Sequence, residues 1–181
     1  MTTHNSDTTT LNTLIATLLD SIDGYTKSAQ DVKDRDLADR FNARARERQS
    51  AVAGLQAAVA RLGGNPEDDG TLLAGAHRAF LSLKEAVTGS DDQAIINEIE
   101  RGEDYLKAKF EVALKTVDLA PEARTAVDQA WTSVKAGHDE MSGLKHRRER
   151  VESYAEGHND AMARQQEYAS ESDRRRDDQI N

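Results

Sequence analysis

Cysteine is absent from this chain of 181 residues, so disulfides, thiol nucleophiles and zinc-thiolate sites are excluded outright. Proline occurs twice and aromatic residues make up 4%, a scarcity that points away from sheets and toward helices rich in alanine, leucine, glutamate and arginine. No nucleotide-binding sheet is expected. An excess of basic residues is also missing, and the net charge of -9 argues against a general nucleic-acid binder, which needs a cationic surface to neutralise phosphates. No apolar run is long enough to span a bilayer, and no basic start, apolar middle and small-residue cleavage site marks a signal peptide. The expected location is the cytoplasm, without a membrane partner.

What is present is a set of apolar stripes at alternating steps of three and four, each the core-facing side of a helix. Residues 1–9 are polar and threonine-rich, and read as a flexible start until Thr10 or a neighbour caps the first helix. That helix carries Leu11, Ile15, Leu18, Ile22 and Tyr25. Asp34 or Asp36 is expected to cap a second, with Leu37, Phe41, Ala45, Val52, Leu55 and Val59 inside. It stops at Gly63-Gly64, and a loop runs through Asn65-Pro66 to Gly70. Thr71 opens a shorter third helix with His77 at the edge of its stripe, and Ser90 to Gln93 has capping-box spacing for a fourth. Pro121 suits the first turn of a fifth, with Val127, Trp131, Val134 and Met141 inside and His138 in the same line. Tyr25 and Trp131 read as core aromatics whose polar ends find partners.

The expected organisation is thus an all-α antiparallel bundle of four to five helices over residues 10–148, followed by a polar segment over 149–181. From Glu156 onward almost nothing apolar remains to be buried, so this segment reads as a solvated helix end or a disordered tail.

Three polar residues interrupt the apolar seams: Arg48 on the second helix, Glu103 on the fourth and His138 on the fifth. A carboxylate on such a seam loses its hydration and must find a cation, a metal, a donor or its own proton. Gly102 beside it costs about 1 kcal/mol relative to alanine in a helix interior, and suggests a close helix contact at this level. Counting outward from the turns places His77 and His138 each within about a turn of Glu103, at 1.5 Å rise per residue. Glu100 forms an acidic pair with Glu103 at i, i+3. Glu100, Glu103, His77 and His138 are therefore candidate metal ligands, with iron or manganese as the cofactor. The bland alternative makes Arg48 and Glu103 a buried structural ion pair, with Arg44 one turn away on the same face.

Leu11-Asn12, Leu14-Ile15, Gly24-Tyr25, Leu62-Gly63-Gly64-x-Pro66, Gly75-x-His77-Arg78 and above all Glu100-Arg101-Gly102-Glu103-Asp104 occur in the order of an uncharacterised bacterial family of four-helix-bundle domains. The resemblance covers roughly Thr9 to Lys115. It implies a ferritin-like fold, whose metal-dependent members use two carboxylates and two Glu-x-x-His pairs. This chain departs from that pattern, since it contains no Glu-x-x-His and its second helix offers Arg44 and Arg48 instead.

Two functional readings follow. One is a non-enzymatic bundle, self-associating into a homo-oligomer and acting in stress physiology by analogy with ferritin-like relatives. The other is a metal-binding protein with ferroxidase-type chemistry at the carboxylate and histidine set.

Overall fold

The computed structural model describes residues 2–70, 92–116 and 118–180, and every regular element among them is a helix. The chain divides into two compact units, Met1–Gly143 and Leu144–Asn181. Among the described residues the helices are α1 (Thr2–Asp31), α2 (Arg35–Arg61), α3 (Asp92–Lys115) and α4 (Pro121–Ile180). The third helix expected from the sequence, with its cap at Thr71, and the capping box at Ser90 lie outside the described residues.

Helix α1 begins eight residues before the expected cap. The threonines that looked like a frayed end instead fold their hydroxyls back onto the helix: Thr9 donates to the Asn5 carbonyl at 2.8 Å, Thr10 to Ser6 at 3.0 Å and Thr13 to Thr9 at 2.9 Å. Such i to i−4 bonds satisfy a polar side chain without leaving the helix. Asp7 is buried, and its carboxylate accepts from the Ala120 amide at 3.2 Å, just before α4 starts. An anion there complements the free amides and positive end of a helix N-terminus.

Asp34 caps α2, accepting from the amides of Asp36 and Leu37. At the other end Gly63 takes φ 78°, and Gly64 bonds back to the Val59 carbonyl at 3.0 Å. A left-handed residue just past a helix closes off its last carbonyls, and glycine adopts it without strain. Asn12 then clamps the following loop to α1, its amide donating to the Asn65 carbonyl at 2.9 Å and its oxygen accepting from the Glu67 amide at 3.0 Å.

These contacts fix the directions of the helices. Helix α2 ends beside the start of α1, whereas α3 starts beside the α1–α2 turn, where Asp92 accepts from the amides of Lys33 and Asp34. Helices α2 and α3 therefore run the same way, and α1 and α4 run opposite to them. Leu11, Ile15 and Leu18 of α1, Val52 and Leu55 of α2, Leu106 and Phe110 of α3, and Val127 and Val134 of α4 form one core. Phe110 and Trp131 stack at 6.4 Å between ring centroids.

In the second unit the polar segment is helical to Ile180. Alanine, glutamate, arginine and glutamine, all strong helix formers, supply much of it.

Candidate functional site

The interrupted seams meet. Arg48 is fully buried and Glu103 is 2% exposed. Nη2 of Arg48 donates to both carboxylate oxygens of Glu103, at 2.9 and 2.7 Å, and Nη1 donates to Ser133 Oγ at 3.0 Å. A guanidinium from α2 thus ties α3 to α4. The backbone of α4 approaches closely at Gly137, where a Cβ would lie 3.0 Å from Glu103 Oε2 and collide with Arg48 Nη2.

Helix α1 contributes Tyr25, which is 1% exposed and packs on Phe41 with ring centroids 5.7 Å apart and the rings tilted by 53°. Its hydroxyl has no partner in hydrogen-bonding geometry, contrary to the expectation of a satisfied polar end. The pKa of the phenol is nevertheless pushed well above its ordinary value, first by burial and then by the negative charge of Glu103, against a smaller opposing effect of Arg48. Arg48 Nε is likewise buried without a partner. All four helices therefore bring polar groups to one level of an apolar core, where a charge persists only when paired.

A second, half-buried network lies beside this pair. Arg44 Nε donates to Glu140 at 2.6 Å, Arg40 Nη1 donates to the other oxygen of Glu140 at 2.9 Å, and Arg44 Nη1 reaches Glu47 at 2.6 Å. Burial alone would raise the Glu140 pKa, but the hydrogen bonds from Arg44 and Arg40 outweigh it and hold the carboxyl below its usual range.

Of the candidate ligands among the described residues, Glu103 and His138 face different partners. His138 turns its Nε2 toward Asp104 at 3.0 Å and its Nδ1 toward Asp139 at 3.3 Å. Glu100 is partly exposed on α3, and His77 lies outside the described residues. Among the described residues, no three His, Cys, Asp or Glu side chains are grouped to hold a metal. The chemistry of the donor set also disagrees with a ferritin-like metal centre, because both oxygens of Glu103 already face a fixed cation.

Sequence reasoning missed Ser133, Gly137 and Glu140. Spacing alone does not single out Gly137, because between Val134 and Met141 both Gly137 and His138 continue steps of three and four. Gly102, by contrast, faces solvent, and a Cβ there would meet nothing. The close helix approach belongs to Gly137.

Residues 7–116, more than half of the chain, match the family described as domain of unknown function DUF2383. The chain belongs to this DUF2383 family. No curated protein matches it. The DUF2383 region contains Tyr25, Arg48 and Glu103, whereas Ser133, Gly137 and Glu140 lie beyond it on α4. No helix among the described residues is long and apolar enough to cross a membrane.

Proposed function

We propose that this DUF2383 protein is a non-enzymatic, self-associating helical bundle of the ferritin-like type, in which Arg48 and Glu103 hold helix register in place of a metal centre. The observation that carries the reading is the guanidinium of Arg48 on both oxygens of Glu103. In the metal-dependent relatives that the fold suggests, a cation of another kind would occupy such a position. Helices α2 and α3 running the same way supports the ferritin-like part, since bundles of that type join two helix pairs by one long crossover. Exposed apolar side chains, Tyr105 and Val112 on α3 and Val151 and Tyr154 on α4, support self-association, because such surface suits contact with another chain.

Elemental analysis of protein purified without chelator and then titrated with ferrous iron under air tests this reading. The expected result is no stoichiometric iron or manganese, with Glu103→Gln lowering thermal stability. Near-stoichiometric metal that disappears in Glu103→Gln would overturn it and make Glu103 a ligand.

A further inference from the structure

We draw no further inference here: the strongest candidate, the exposed apolar face of Val151, Tyr154 and Met162 on the C-terminal half of α4, carries nothing, because nothing among the described residues shows what covers it.

Discussion

Nη2 of Arg48 bonds both oxygens of Glu103 at 2.9 and 2.7 Å in a place that water does not reach, so neither residue can lose its partner without leaving an unpaired charge in the core. Removal of one side, as Arg48→Met or Glu103→Leu, is expected to cost about 3–5 kcal/mol. Replacement of both, as Arg48→Met with Glu103→Leu, is expected to return most of that loss, because an apolar pair of similar volume carries no desolvation penalty. Urea denaturation of the four proteins measures the cycle. Strictly additive losses in the double variant would show that the two charges act independently, contrary to the geometry.

Gly137 and Gly102 make opposite predictions for the same substitution. Alanine at Gly137 places a methyl against Arg48 Nη2 and Glu103 Oε2, and a shift of either group away from it disturbs their buried hydrogen bonds. Although alanine is the better helix former by about 1 kcal/mol, Gly137→Ala is expected to destabilise by about 1–3 kcal/mol through overpacking. At Gly102 the added methyl meets nothing, so Gly102→Ala is expected to stabilise by about 0.5–1 kcal/mol. Melting temperatures of the two variants, moving in opposite directions from the wild type, check both.

The contrast between these glycines shows how far the sequence was legible. A charged residue breaking an apolar alternation is a strong signal, because burial forces it to find a partner, and this is why Arg48 and Glu103 stand out in the sequence. Which glycine admits a neighbouring helix is weaker information: Gly102 adjoins the seam residue Glu103 in sequence, yet one residue turns a helix by about 100° and carries it to solvent. His138 misled for the same reason, since its neighbour Gly137 holds the inner position while the imidazole reaches Asp104 at the rim. The threonine-rich start carries no such signal, because polar composition does not reveal hydroxyls bonded back to their own helix. The apolar stripes of the four described helices, needing no partner identity, were read directly from spacing.

Two groups, the buried Tyr25 and the half-buried Glu140, make the stability of the bundle depend on pH at opposite ends of the scale. Glu140, held below its usual range by Arg44 and Arg40, contributes stability that is present above its unfolded value of 4.5 and is lost as pH falls through the lower folded value. Tyr25, held well above its ordinary 10.0 first by burial and then by Glu103, contributes stability that is present below pH 10.0 and is lost as pH rises beyond it, when the unfolded phenol ionises and the folded one does not. Glu140→Gln is therefore expected to flatten the acid limb of the stability profile, and Tyr25→Phe the alkaline limb. Near neutral pH, Tyr25→Phe is expected to change stability by less than about 1 kcal/mol, since the hydroxyl makes no hydrogen bond that the substitution would break. Denaturation midpoints across pH, with ultraviolet titration of the phenol, check each limb. An alkaline limb unchanged in Tyr25→Phe would show that another group governs that range, and a Tyr25 that ionises before the protein unfolds would contradict its burial beside Glu103.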